Sequence, residues 1–364
     1  METNPPKETV ITTSGLSKSF GSFVAVHDLR LEVLRGDVFG FLGPNGAGKT
    51  TTIRMLLGLI RPTSGAVSLF GIDSATSLRK ILPRLGAIVE TPVFYPYLSG
   101  TDNLRIVAAA SGMKMGRANQ ARIDEVLDLV DLSARGKDTY RTYSLGMKQR
   151  LAIGAALLTD PELILLDEPT NGLDPAGVHE IRQLILRLAA GGKTIFLSSH
   201  ILYEIQQVCN RVAILQKGTL IKQGSVQELL KEGRRLVVRL GTAEETARAL
   251  VVLQEATWGD MHWIAEVSSG NDKQSRPALF VDAPDARSPE ISALLSQNDL
   301  SVAEMYQSVG SLEDFFLELT GTDAGEGSRI RAGAPNTVSD VGATSVSRWF
   351  GSLSPIRSQK RDER

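Results

Sequence analysis

Cysteine is nearly absent: Cys209 stands alone in a chain of 364 residues. No disulfide can close within the chain, and a reducing compartment suits it. Cys209 is expected to be a buried helix residue rather than a nucleophile. Long apolar runs are missing as well. No segment reaches the roughly 18 consecutive apolar residues that a membrane helix requires, and the opening METNPPKETV lacks the apolar core of a secretory leader. Any contact with a membrane is therefore expected to run through another polypeptide. Net charge is close to nil, 40 Lys and Arg against 41 Asp and Glu, which argues against a nucleic-acid binder. What is present is 42% hydrophobic residues, enough for a folded core, in a chain long enough for two domains.

Residues 9–223 alternate short β-rich runs with helical patterns: FVAVHDLRLEV, DVFGFL, GAVSLF, LGAIVE, LILLDEP, TIFLSS and RVAIL. Continuous apolar strands separated by helices predict an α/β core with a largely parallel sheet covered on both faces. Between about residues 92 and 145 the strands stop, and GTDNLRIVAAASGM, with Asp102 in its first turn, and ARIDEVLDLVDLSARGK predict a helical insert. Beyond residue 235 the pattern restarts as βαββαβ with a closing helix at SLEDFFLEL, which resembles a small α+β ferredoxin-like accessory domain over residues 236–321. The Gly-, Ala-, Ser- and Arg-rich segment 322–364 is expected to be a disordered tail.

The chemistry is concentrated in residues 1–235. DVFGFLGPNGAGKTTTIRMLLGL is a strand, a glycine-rich turn and a helix, and residues 43–50 fit G-x-x-x-x-G-K-[ST] in the context that motif demands. Backbone N–H groups of Gly43, Pro44, Asn45, Gly46, Ala47, Gly48, Lys49, Thr50 and Thr51, proline excepted, are candidates to surround the phosphates of a nucleotide. Lys49 is placed to reach the β- and γ-phosphates, and the Thr50 hydroxyl to ligate Mg²⁺. In LILLDEPTNGLDP a buried strand ends in Asp167 and Glu168, at the sheet edge where ligands of open α/β folds bind. Asp167 suits the Mg²⁺ shell and Glu168 a general base that activates water. In TYSLGMKQRLAIGAALL, Ser144 stands where a helix N-cap belongs, so the first turn behind it is a second anion-binding end.

Taken together, GPNGAGKT, YSLGMKQR, LILLDEP, NGLD and LSSH closely resemble the nucleotide-binding subunit of an ATP-binding cassette (ABC) transporter, over residues 15–224. The resemblance implies a P-loop NTPase core of ABC type that binds and hydrolyses ATP with Mg²⁺. It also implies a head-to-tail dimer with a second copy, in which Ser144, Gly146 and Asp174 touch the ATP held by the partner. Phe20 in SKSFG matches the aromatic that stacks on adenine, and His200 matches the switch histidine at the γ-phosphate. Two departures stand out. The commonest signature reads Leu-Ser-Gly-Gly-Gln, whereas Tyr143-Ser144-Leu145-Gly146-Met147 keeps only the serine and the second glycine. Glu90 replaces the usual glutamine beside Mg²⁺ and the attacking water, a catalytic and metal-binding candidate. VETPVFYP, YSLGMKQRL and SLEDFFLELTG resemble the bacitracin and lantibiotic-resistance exporter type.

That resemblance implies an ATPase subunit powering export of antibiotics, peptides or other drugs. The partner would be a separate integral membrane permease, met through the helical insert and loop 90–97, and the place of work the cytoplasmic face of the membrane, peripherally. An importer ATPase would differ mainly in its permease. A soluble cassette acting on ribosomes or nucleic acid usually carries two ATP sites, and this chain has one phosphate loop, no internal repeat and no expected nucleic-acid partner. The guanine motif Asn-Lys-x-Asp is absent, which ranks a Ras-like GTPase last among the alternatives.

Overall fold

The computed structural model describes residues 8–89, 94–114, 116–232, 234–257, 261–272, 274–308 and 312. The chain divides into two units at residues 325 and 326, and all described residues belong to the first. Glu90, most of the closing-helix segment and the tail 322–364 lie outside the described residues.

In chain order, β1 (Thr9–Phe20), β2 (Phe23–Leu29), β3 (Glu32–Leu34) and β4 (Val38–Leu42) lead into α1 (Lys49–Leu56). β5 (Ser64–Leu69), β6 (Ile72–Asp73), α2 (Ser74–Ile81) and β7 (Leu85–Ile88) follow. Then come α3 (Gly100–Ala110), α4 (Arg117–Leu129), α5 (Leu145–Leu157), β8 (Leu163–Leu166), α6 (Pro175–Ala190) and β9 (Thr194–Ser199). α7 (Leu202–Val208), β10 (Arg211–Gln216), β11 (Thr219–Ser225) and α8 (Val226–Glu232) close this part. The remainder is β12 (Leu236–Leu240), α9 (Ala243–Thr257), β13 (Glu266–Asn271), β14 (Pro277–Asp282), α10 (Ser288–Gln297) and β15 (Val302–Gln307).

The central sheet has the order β11-β10-β4-β9-β8-β7, parallel except for β11. Its central strands β4, β8 and β9 are buried on both faces, so consecutive apolar residues serve different cores. In β8, Leu163 and Leu165 pack with Phe39, Phe41, Phe196 and the apolar face of α1, whereas Ile164 and Leu166 pack with α4, α5 and α6. β9 lies between β4 and β8, so the chain leaving these three strands emerges side by side. α7 closes on β4 at Gly40, where a Cβ would lie 2.6 Å from Ile205 Cγ2, so only glycine allows that approach. Cys209 is buried just past the end of α7 rather than within a helix, and its burial holds the thiol protonated by raising its pKa.

FVAV and GAVSLF do not enter the parallel sheet. β1, 12 residues long, pairs antiparallel with β2, β3 and β5 in a separate five-stranded sheet ordered β2-β1-β5-β6, with β3 also on β1. FVAVHDLRLEV is also two strands, β2 ending at Leu29 and β3 starting at Glu32; Asp28, inside β2, has φ 43 where the β1–β2 register shifts, a left-handed conformation that aspartate tolerates better than most side chains.

Between β7 and β8 the elements among the described residues are helices, joined by turns and one isolated bridge between Ser99 and Thr139. Ser99 caps α3 by accepting from Asp102 N, and that serine hydroxyl and Arg105 hold the Asp102 carboxyl below its usual range. Tyr143, buried ahead of α5, donates its hydroxyl to Arg135 O at 2.7 Å. Residues 236–307 form a third sheet, order β13-β14-β12-β15, every neighbouring pair antiparallel, with its own core around Val238, Leu253, Leu279 and Ile291. Among the described residues, no helix is long and apolar enough to cross a membrane.

Candidate functional site

The site begins where β4 ends. All five β4 residues are buried, so the chain must leave the sheet edge abruptly, and it does so through residues 43–48 before α1 starts. Gly48 is the N-cap of α1, with φ 99 and no side-chain cap, which leaves first-turn amides of α1 without the serine or aspartate that usually covers them. Such an end favours an anion. Pro44, Asn45 and Gly46 are exposed and Ala47 is buried, so the loop is anchored at one side and open at the other. The anchor is backbone: Gly218 N donates to Ala47 O at 3.1 Å and His27 N to Gly218 O at 2.8 Å, tying the loop to the β10–β11 turn and to β2.

Lys49 is only 6% exposed, and a buried ammonium needs partners. It has three. Its Nζ donates to Gly43 O at 2.7 Å and Pro44 O at 3.3 Å and pairs with Glu168 Oε1 at 3.1 Å. The next residue, Thr50, donates its hydroxyl to Asp167 Oδ2 at 2.8 Å. Thr51 follows in the same turn of α1, partly buried.

β8 delivers the two carboxylates, and β9 fixes them. Asp167 Oδ1 accepts from Ser198 Oγ at 2.6 Å, and the same serine oxygen accepts from Glu168 N at 2.9 Å. Ser198 thus orients both acidic residues, a role its place in TIFLSS did not disclose; the only signal was a hydroxyl in a wholly buried strand, which must find a partner. Glu168 has φ 47, unusual for a residue with a Cβ. That turn sends its two oxygens in different directions, Oε1 to Lys49 and Oε2 to His200 Nδ1 at 2.9 Å. An ionised carboxylate only accepts, so Nδ1 carries the proton and Nε2 is left for another partner.

Lys49, Thr50, Asp167, Glu168 and His200 therefore form one connected cluster at the ends of β4, β8 and β9. Phe20 lies at the tip of the β1–β2 hairpin, paired with Phe23, 51% exposed, and with Lys18 Nζ 5.0 Å from its ring centroid. Along β2 from that tip, Ala25 O lies 2.5 Å from where a Gly48 Cβ would be, which sets the hairpin against the loop. Ser144, Gly146 and Asp174 form a second group. Ser144 caps α5 by accepting from Met147 N at 3.2 Å, and Asp174 caps α6 by accepting from Gly177 N at 3.0 Å. A Cβ on Gly146 would lie 3.8 Å from Gly177 Cα, so the two helix starts are neighbours. Glu90 lies outside the described residues.

Residues 26–171 match the family model described as ABC transporter. The chain is 42% identical over 314 residues to the bacitracin transport ATP-binding protein BcrA of Bacillus licheniformis, covering 86% of this chain and 98% of that protein. It is 34% identical to the daunorubicin resistance ATP-binding protein DrrA3 of Streptomyces coeruleorubidus, covering 87% and 97% respectively. Among solved structures, an ATP-binding subunit of an ABC transporter aligns with TM-score 0.55 at 32% identity, over 61% of this chain and 92% of that one. A cassette solved as a dimer in a post-hydrolysis state with ADP and Pi aligns with TM-score 0.54 at 25% identity, over 59% of this chain and 98% of that one.

Proposed function

This chain belongs to the ATP-binding subunits of ABC transporters, and we propose on that premise that it powers an exporter of antibiotics, peptides or other drugs through a separate membrane permease. The observation that carries the reading is Glu168 held between Lys49 and His200 beside the Thr50–Asp167 pair. Lys49 and the amides of residues 43–51 bind the phosphates of ATP, and Phe20 stacks on its adenine. Thr50 and Asp167 offer two hard oxygens 2.8 Å apart, a donor set that fits Mg²⁺ with phosphate and water completing its shell. When bound, the metal neutralises charge on the phosphate oxygens. Glu168 takes the proton of the attacking water, and His200, its ring held through Nδ1–H by Glu168, presents Nε2 to the γ-phosphate, a contact that requires a proton on Nε2 as well because phosphate oxygens only accept.

Ser144, Gly146 and Asp174 serve the other copy of a head-to-tail dimer, where the two capped helix starts cover the partner's ATP. Glu90, on the loop toward the permease, joins the metal site as a carboxylate in place of an amide. The protein works peripherally at the cytoplasmic face of the membrane. Residues 1–235 act as the cassette, with the helical insert 92–145 facing the permease, and residues 236–321 as a ferredoxin-like accessory domain. The exporter assignment draws on the names of the relatives, since permeases choose the cargo.

Glu168→Gln tests the reading: it should bind ATP and dimerise with it while losing about 10²- to 10⁴-fold in turnover. Lys49→Ala should weaken ATP binding itself. Turnover by Glu168→Gln at nearly the parental rate would exclude Glu168 as the base.

A further inference from the structure

We propose that Thr170 and Glu204 form a clasp that sets the spacing between Glu168 and His200, which makes Glu204 a positioning residue for ATP hydrolysis; this rests on the roles proposed above for Glu168 and His200. Thr170 stands two residues beyond Glu168, and Glu204 four beyond His200. The Thr170 hydroxyl donates to Glu204 Oε2 at 2.5 Å. Each end of the clasp is thus a short, fixed path from one partner of the 2.9 Å Glu168–His200 contact.

The local hydrogen bonds of each segment stay within that segment: Leu173 N donates to Thr170 O at 3.2 Å after β8, and Ile201 N to Ser199 Oγ at 2.9 Å after β9. The stretch after β8 is a turn in which Glu168 has φ 47 and Asn171 N donates to Glu168 O at 3.1 Å. The stretch after β9 enters α7, a helix of seven residues whose N-cap, Ile201, supplies no side-chain bond. A helix that short has little stability of its own. Ile205 packs the middle of α7 against β4, but the packing is incomplete around the start of the helix. Pro169, Thr170, Leu197, Ser199 and Glu204 line a cavity of about 20 Å³, room for a single water. The cavity is closed on its other side by α6 through Val178, Arg182 and Ile185, and both partners of the Thr170–Glu204 hydrogen bond line it. With the bond removed, the void gives the α7 start freedom to shift, and His200 travels with it. A carboxylate that must meet an attacking water in one geometry loses much of its effect with a displacement on the order of 1 Å.

The test uses the full-length chain and four single variants, Glu204→Ala, Glu204→Gln, Thr170→Val and Thr170→Ser, with the double variant Thr170→Val/Glu204→Ala. Nitrogen-15 spectra of the histidine rings report the Nδ1 hydrogen bond of His200 without any turnover, and ATP Kd and kcat are measured on the same samples. Glu204→Ala and Thr170→Val should move the His200 Nδ1 signal toward that of a free imidazole and lower kcat by about tenfold or more, with ATP Kd unchanged. Glu204→Gln and Thr170→Ser, which keep an acceptor and a donor, should stay near the parental values. The double variant should be no worse than either single one. If Glu204→Ala does not fold, Thr170→Val and the two conservative variants carry the comparison. An unmoved His200 signal in Thr170→Val, a kcat left at its parental value, or a Gln variant as impaired as Ala would each overturn the clasp. A parental chain that failed to bind ATP would instead sink the function proposed above, and the imidazole spectra would still decide the clasp.

Discussion

Three glycines of the phosphate loop separate two physical effects that alanine usually mixes. Gly48 carries both: φ is 99, and a Cβ there would sit 2.5 Å from Ala25 O. The left-handed backbone costs an L residue roughly 1–2 kcal/mol, and pushing a Cβ into a backbone oxygen that cannot rotate away costs about 1–3 kcal/mol more. Gly48→Ala should therefore lose about 2–5 kcal/mol. Gly43 carries only the collision, its Cβ falling 2.6 Å from Leu215 O, so Gly43→Ala should lose about 1–3 kcal/mol. Gly46 carries only the strain, with φ 81 and open space around a Cβ, and its cost of about 1–2 kcal/mol is partly offset because alanine narrows the unfolded ensemble. Urea unfolding of the three variants should rank Gly48 first, Gly43 second and Gly46 last. ATP titrations add a second axis, since only the variants that shift backbone, Gly48 and Gly43, should also weaken binding. A Gly46→Ala variant at least as unstable as Gly48→Ala would refute the reasoning from contact with Ala25.

In a mixture of Lys49→Ala and Ser144→Arg subunits, one composite site of the proposed dimer holds both lesions and the other none, so ATP-driven dimerisation should partly return although each variant alone fails; light scattering reads it, and no rescue with both proteins folded argues for sites complete within one subunit. Glu162 is held down at about 2 by its hydrogen bonds to Arg84, and then Arg35, against an ordinary 4.5. Its folded pKa is depressed, so its stabilisation is present above about pH 4.5 and lost as pH falls toward 2; exposure limits it to less than about 1 kcal/mol, and the unfolding difference between parent and Glu162→Gln should shrink over that window. Tyr143→Phe leaves Arg135 O without its 2.7 Å donor in a buried setting and should cost about 1–2 kcal/mol in urea unfolding; a loss near zero would mean water replaces the hydroxyl.

What the sequence disclosed was whatever is decided within a few residues. The phosphate loop, the strand-end carboxylates and the cap at Ser144 need particular side chains close together in the chain, and each was legible for that reason, whereas the cap that Asp174 gives α6 was not read. Pairing across long separations was not. β1 joins β5 rather than the parallel strands because Ile11 meets Leu69 and Thr13 meets Val67, partners more than fifty residues apart that no local pattern reveals. Ser198 likewise acts on Asp167 from 31 residues away. The backbone turn at Glu168 was hidden too, since nothing in the letters DEPT requires φ 47 there.

The alternation of β8 between two cores has a consequence for how this protein can change over generations. Leu165 and Leu166 share a peptide bond yet answer to different neighbourhoods, one adjoining the phosphate-binding helix and the other the helical layer behind α5 and α6. Backbone stands between those neighbourhoods, so a volume lost on one side is not repaired by a side chain gained on the other. Compensating substitutions for Leu165 should accordingly arise around α1, and those for Leu166 around α5 and α6. The helical layer can then be remodelled while the packing around α1 is left as it was, with the loops at the sheet's carboxyl edge as the places where the two histories meet.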